Sequence, residues 1–236
     1  MPTVKVWMKE EKIFFVMPEN IQALFFLIGV DILNSLRLKK CIVTSILASI
    51  SVILYVIGPK FPLPSLFPSF LSINFSMLPI FIAIIVIGNK YGLCIVLLRF
   101  FMGLICGTST CGIGETADLI IGIVLCLFTS LGNKIYKKNN HIIFVFIFAI
   151  IGWIIGGILS NLFALPMYMN VMGYTKEAFA SMLQSIHPKC TVENFYFYYF
   201  VLAIIPFNLL LSICVVGITY LVWLPLHKFS DTYFEK

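Results

Sequence analysis

Glu115 and Asp118 stand three residues apart at the head of a stretch that otherwise reads as a membrane-spanning helix, Ile-Gly-Glu-Thr-Ala-Asp-Leu-Ile-Ile-Gly-Ile-Val-Leu-Cys-Leu. A charged side chain at membrane depth costs about 2.5–3.5 kcal/mol on insertion scales, so such residues face a protein interior or a watered cavity and take a partner there. The preceding apolar segment carries Arg99, and the turn between the two segments lies around Gly107 to Gly112. Counted back from that turn at about 1.5 Å per helical residue, Arg99 and Asp118 reach similar depths, so their charges can meet across the hairpin. An Arg99–Asp118 pair can lock two helices together or form one wall of a ligand cavity. Spacing alone leaves both open.

Other chemistry is scarce. His141, His187 and His227 all fall in loops or at segment ends, and no His-Glu-x-x-His cluster is present, so neither a metal site nor a serine–histidine site is expected at depth. No Gly-x-x-x-x-Gly-Lys-Ser/Thr phosphate loop occurs, so any ATP-derived energy must come from partners. Glu115 and Asp118 remain available as acid and base for a lipid-modifying enzyme. With Arg99 they also resemble the relays of proton-coupled carriers, although the internal repeat common in such carriers is not found.

The elements that must position these groups follow from composition. The chain is 61% hydrophobic and 11% charged, with mean hydropathy +1.04, against about 25% charged in soluble domains, so it is read as an integral membrane protein. Its net charge of +6 comes from basic residues scattered at segment ends, which argues for topology signals and against nucleic-acid binding. The seven cysteines sit mostly inside apolar runs and read as packing residues, with Cys106 and Cys111 flanking one turn where a bridge could form.

Residues 1–40 mix charges with aromatics, and the apolar run Ile21 to Leu33 is too short for a span of about 20 residues. They are expected to form a cytoplasmic or interfacial extension. Six apolar segments follow: Cys41 to Ile57, Phe75 to Ile87, Tyr91 to Cys106, Glu115 to Ile135, Ile142 to Tyr168, and Phe195 to Leu224. The predicted fold is therefore an all-α bundle of six transmembrane helices over residues 41–228, with a cytoplasmic tail at 229–236. Four prolines between Gly58 and Pro68 forbid a helix there and favour an extended loop. Placing both termini in the cytoplasm puts Arg37, Lys39, Lys40, Lys90, Lys134, Lys137, Lys138 and Lys228 inside and leaves Lys60, Lys176 and Lys189 outside. The proline loop, the Gly107 to Gly114 turn and the Val171 to Asn194 connection then form an outer lid, with Glu115 at its mouth. Tyr196 to Phe200 reads as an interfacial aromatic belt or as a stacking surface.

Three stretches carry a resemblance. Residues 71–92 open Leu-Ser-Ile-Asn-Phe-Ser-Met-Leu-Pro-Ile, residues 114–122 read Gly-Glu-Thr-Ala-Asp-Leu-Ile-Ile-Gly, and Asn161 with Leu165-Pro166-Met167-Tyr168 precedes Pro206-Phe207-Asn208. In order and spacing, over roughly residues 40–228, they resemble the substrate-binding S components of energy-coupling factor (ECF) transporters, above all the riboflavin-type ones. The resemblance implies a multi-pass cell-membrane protein that is not an enzyme and needs no cofactor. It would bind a vitamin as cargo in an outward-facing cavity and dock, in the lipid bilayer, onto a transmembrane coupling protein driven by two cytoplasmic ATPases. Asn74, Glu115, Asp118, Asn161 and Asn208 become the expected substrate-binding residues. On the first span Thr44 and Ala48 stand four apart, as do Ser45 and Ser49, small-residue rows that let another helix approach closely; Thr44 and Ala48 become the expected docking face, with packing inside the bundle as the alternative. Four positions depart from the riboflavin-type pattern: Asn74 and Met77 replace acids, Asp118 replaces asparagine, and Leu211 replaces lysine. An anionic Asp118 favours a cationic or donor-rich ligand unless Arg99 neutralises it.

Overall fold

The computed structural model describes residues 36–58, 61–62, 66–67, 71–106, 110–139 and 142–234. Most of the expected N-terminal extension, the middle of the proline loop, residues 107–109 and His141 lie outside the described residues.

Lysine and arginine are good helix formers, and the basic cluster is absorbed into the first helix, so α1 runs Leu36–Val56 instead of starting at Cys41. Its hydroxyls bond one turn back, Thr44 to the Lys40 carbonyl at 2.6 Å, Ser45 to Cys41 at 3.0 Å and Ser49 to Ser45 at 2.9 Å. An apolar helix can carry them because no donor is left unmet. The proline loop that follows contributes β1 (Phe61–Pro62), which pairs antiparallel with β2 (Ser72–Ile73), Phe61 opposite Ile73. This short ribbon corrects the all-α expectation. Proline is tolerated at such an edge because it has no amide to offer the ladder.

Helix α2 (Met77–Val86) has ten residues and carries Pro79 in its first turn, where a missing N–H costs no helical bond. It reaches about 15 Å, half the roughly 30 Å apolar core of a bilayer. Met77, Ile80, Phe81, Ala83 and Ile84 are all buried, so α2 is a central helix covered on several sides. Gly88, at φ 127°, makes the tight hairpin into α3 (Asn89–Ile105).

The longest packing surface is between α4 (Ile113–Asn139) and α5 (Ile143–Met172). Its closeness depends on missing side chains: a Cβ on Gly132 would lie 2.9 Å from Val145 Cα, and one on Gly156 would lie 3.0 Å from Ile121 Cα. Helix α6 (Lys176–Gln184) is capped by Thr175, whose hydroxyl accepts from the Ala178 amide at 3.2 Å. In its first turn, its own backbone amide and the Thr175 hydroxyl hold the Glu177 carboxyl below the usual range.

The last apolar segment is not one uniform α-helix. A short α7 (Phe195–Phe197) leads into a π-helical segment, Tyr198–Ile204, and then α8 (Ile205–Phe234). Pro206 supplies the physical reason. It cannot donate to a carbonyl one turn back and its ring crowds that carbonyl, so the bonding pattern upstream widens.

Among the described residues, four helical stretches are long and apolar enough to cross a membrane: Leu36–Val56, Ile113–Tyr136, Ile143–Met172 and Phe195–Trp223. Large apolar side chains such as Leu127, Phe163 and Leu221 are exposed along them, as a lipid-facing surface requires. The core has two parts. One, around Phe81, Ile95, Leu125 and Trp153, fills the bundle, and the other, around Phe179, Phe195 and Tyr199, ties α6 to the π-helical segment. Cys106 and Cys111 are free and exposed, so the turn between them is not cross-linked.

Candidate functional site

A cavity of about 540 Å³ lies where the two core clusters meet, within the roughly 300–1,000 Å³ typical of small-molecule sites. Asn74, Glu115, Asp118, Asn161 and Asn208, scattered over 135 positions of sequence, all line it.

One wall is a polar relay from α1 to α4. Arg99, 3% exposed, donates to Asp118 Oδ2 at 2.8 Å. Its second branch donates to Ser76 Oγ at 2.6 Å, and its guanidinium lies 4.9 Å from the centroid of the Tyr55 ring. Ser76 passes the bond on, its hydroxyl and its amide both donating to Asn74 Oδ1 at 2.6 and 3.2 Å. Glu115 is gripped separately, with Tyr55 donating to Oε1 at 3.0 Å and Thr110 to Oε2 at 3.3 Å. Gly103 leaves the space for this grip: a Cβ there would stand 3.0 Å from Tyr55 Cε1 and 3.1 Å from Glu115 Cγ. Arg99 itself stands behind the wall and does not line the cavity.

The opposite wall comes from α5 and the π-helical segment. Tyr199 donates to Asn161 Oδ1 at 2.8 Å, while Asn161 Nδ2 donates to the Gly157 carbonyl at 2.8 Å. Both ends of Asn161 are thus committed to the protein, and what it holds at the cavity surface is the Tyr199 ring. Asn208 lies against bare helix backbone, because a Cβ on Gly157 would fall 2.5 Å from Asn208 Cγ. Its amide donates to the Ile204 carbonyl at 2.9 Å, which leaves Oδ1 as the acceptor end.

Residues 39–223 match the family model for the substrate-specific component of ECF transporters. The chain belongs to that family. Over 107 residues it is 33% identical to the riboflavin transporter FmnP of Bacillus subtilis (strain 168), an alignment spanning 44% of this chain and 53% of that protein. The chain therefore matches about half the length of this curated relative. It also resembles the solved structure described as "Structure and mechanism of the S component of a bacterial ECF transporter", at TM-score 0.57 and 26% identity, covering 82% of this chain and 98% of that one.

Membership in a transport family removes the lipid-modifying enzyme and the proton-coupled carrier as readings of the acid pair. In this S component all four positions that depart from the riboflavin-type pattern, Asn74, Met77, Asp118 and Leu211, line the one cavity.

The docking expectation needs correction. Thr44 and Ala48 are 5% and 6% exposed, turned into the bundle, whereas Ser45 and Ser49 on the next row of α1 are exposed. The physical reason is that Thr44, Ala48 and Ser51, spaced by four and three, form the small-residue stripe along which α1 packs inward.

Tyr55, Thr110, Trp153 and Tyr168 also line the cavity and were not foreseen as site residues, and so does Tyr199, from the run read as an interfacial belt or a stacking surface. For Trp153 a signal existed: tryptophan is enriched at membrane interfaces, yet this one sits mid-span. For Tyr199 the signal was the run as a whole, which does not single it out from neighbours Tyr196 and Phe197 that are exposed.

Proposed function

We propose that this S component captures riboflavin, or a flavin close to it, in the 540 Å³ cavity and delivers it inward through a transmembrane coupling protein driven by two cytoplasmic ATPases. The carrying observation is that the Arg99–Asp118 pair, at 2.8 Å, is closed within the protein. With its charge met by Arg99, Asp118 no longer demands a cationic ligand and suits a neutral, donor-rich one. Riboflavin offers a flat apolar ring with a polar edge and a chain of hydroxyls, which fits aromatic surfaces such as Tyr199 and Phe207 facing a polar wall. Asn74, Glu115, Asp118 and Asn208 are the proposed contacts, with Asn161 acting through Tyr199. Riboflavin is cargo, and no resident cofactor is proposed.

In this reading α2 with its preceding segment, and α3, complete six spans of a multi-pass cell-membrane protein. Both termini are cytoplasmic, residues 1–40 are an extension, 41–228 the binding domain and 229–236 a tail. Full-length chain purified in mild detergent is expected to bind riboflavin stoichiometrically without ATP or a proton gradient, measured by quenching of flavin fluorescence. Absence of binding at micromolar riboflavin would rule the ligand out.

The exposed Ser45–Ser49 row is the proposed docking face, because small residues four apart let another helix approach closely. Ser49→Trp is expected to abolish riboflavin uptake by cells while leaving binding by the purified chain intact. Ala48→Trp, forced into the bundle, is expected to lose both. Normal uptake by Ser49→Trp would remove that face from consideration.

A further inference from the structure

Counted from the end of the cavity lined by Thr110 and Tyr168, its mouth in the outward-facing reading proposed above, the last lining residues on α4, α5 and α8 are apolar or aromatic: Ile121, Trp153 and Leu211. From Gly114 to Ile121 the depth is about 10 Å at 1.5 Å per residue, so this floor lies well inside the bundle. Trp153 is 1% exposed, and among the described residues its buried Nε1 has no hydrogen-bond partner. Buried polar groups are almost always paired, so an orphaned indole N–H in the wall of a cavity calls for an explanation. Trp153 packs into the apolar cluster containing Ile121, Leu125, Phe207 and Leu211, and its Nε1 makes no hydrogen bond to the described residues.

The polar groups nearer the mouth are already engaged. Glu115 accepts from Tyr55 and Thr110, Asp118 is paired with Arg99, and Asn161 with Tyr199. Trp153 differs from all of these in having its donor unspent. Because the ring is held by no hydrogen bond, a small rocking motion that brings Nε1 to the cavity surface breaks none.

We infer that Trp153 is a ligand-recognition residue at the cavity floor, whose Nε1–H donates to an acceptor, a carbonyl oxygen or unprotonated ring nitrogen, on the leading edge of the bound molecule. This rests on the binding function proposed above and adds a selectivity rule to it. Ligands whose inserted edge carries no acceptor leave the indole donor unmet and are rejected, as sites built around a buried donor reject analogues lacking its partner.

The test titrates riboflavin into full-length protein in mild detergent for wild type, Trp153→Phe, and a second variant carrying benzothienylalanine at position 153. That residue keeps the two-ring shape and lacks the N–H. Riboflavin affinity is expected to fall about tenfold to a hundredfold in both variants, with the unliganded melting temperature of the benzothienylalanine protein unchanged. If Trp153→Phe fails to fold, the isosteric variant decides. Binding by the isosteric variant within twofold of wild type overturns the inference while leaving the function standing, and a lowered unliganded melting temperature overturns it too, by revealing a protein partner for the N–H.

If wild type binds no riboflavin, the riboflavin reading fails and the inference is judged separately, by mass spectrometry of small molecules carried through purification. A molecule carried by wild type and lost from the isosteric variant supports it. Equal loads in both proteins, or no carried molecule in wild type, overturn it.

Discussion

Arg99→Met will lower the stability of the protein by about 3–5 kcal/mol, the usual cost of removing one partner from a buried ion pair. The arginine is 3% exposed, so its loss strips the 27% exposed Asp118 side chain of its 2.8 Å ion-pair partner, one turn from the 6% exposed Glu115. It also removes the donor to Ser76 Oγ, on which the Asn74 side chain depends. Thermal melting in detergent checks the first effect and riboflavin titration the second, which is expected to collapse with it. Arg99→Lys should recover only part of both. An ammonium can replace the charge but not the planar fork that reaches Asp118 and Ser76 together. Asp118→Asn should be milder, since its amide oxygen still accepts from Arg99. The double variant Arg99→Met with Asp118→Asn should be more stable than Arg99→Met alone, because it removes the abandoned charge as well as its partner. A melting temperature for Arg99→Met equal to wild type would sink the relay as a structural element.

The Arg99–Asp118 pair was legible in the sequence for a simple reason. Depth in a hairpin can be counted from the turn, and charges too costly to leave alone at that depth have few partners to choose from. Arg99 and Asp118 satisfied both conditions. Which face of α1 turns inward was harder, because the helix is apolar nearly all round and offers no strong polar face to mark solvent. The cue lay in the smaller signal of Thr44, Ala48 and Ser51, buried at spacings of four and three, with Tyr55 continuing the same row toward Glu115. The row buried in the bundle and the exposed row are both made of small residues, so residue type alone could not tell which of them turns inward.

Which ring of the Tyr196–Phe200 run faces the cavity was illegible for a different reason. Tyr199 differs from Tyr196 and Phe197 only through the π-helical segment that carries it, and that segment depends on how Pro206 disturbs the bonds before it. Local hydrophobicity is the same for all three side chains. Asn161 likewise read as a free polar group, whereas its contribution is to fix the Tyr199 ring. In a bundle where most surfaces are apolar, the polar residues that look most available are often spent on holding an aromatic one in place.

Gly157→Ala will reduce riboflavin affinity at least tenfold while lowering stability by at most about 2 kcal/mol. A Cβ at this position would lie 2.5 Å from Asn208 Cγ, 2.6 Å from Nδ2 and 2.8 Å from Oδ1, so the whole amide must move away from its present seat. Asn208 cannot yield easily, being 4% exposed and tied to the Ile204 carbonyl at 2.9 Å. Overpacking of this kind costs about 1–3 kcal/mol. The alanine returns roughly 0.8–1.0 kcal/mol of helix propensity over glycine, which offsets part of it. Binding receives no such compensation, because the displaced amide turns its acceptor away from the cavity. The Gly157 carbonyl also anchors Ser160 at 3.0 Å and Asn161 at 2.8 Å, so a backbone shift there would reach the Tyr199 ring as well. Asn208→Ala separates the two routes. If displacement of Asn208 is the whole effect, the double variant binds riboflavin no worse than Asn208→Ala alone. If the backbone moves, it binds worse, and wild-type affinity in Gly157→Ala would mean that Asn208 does not meet the ligand.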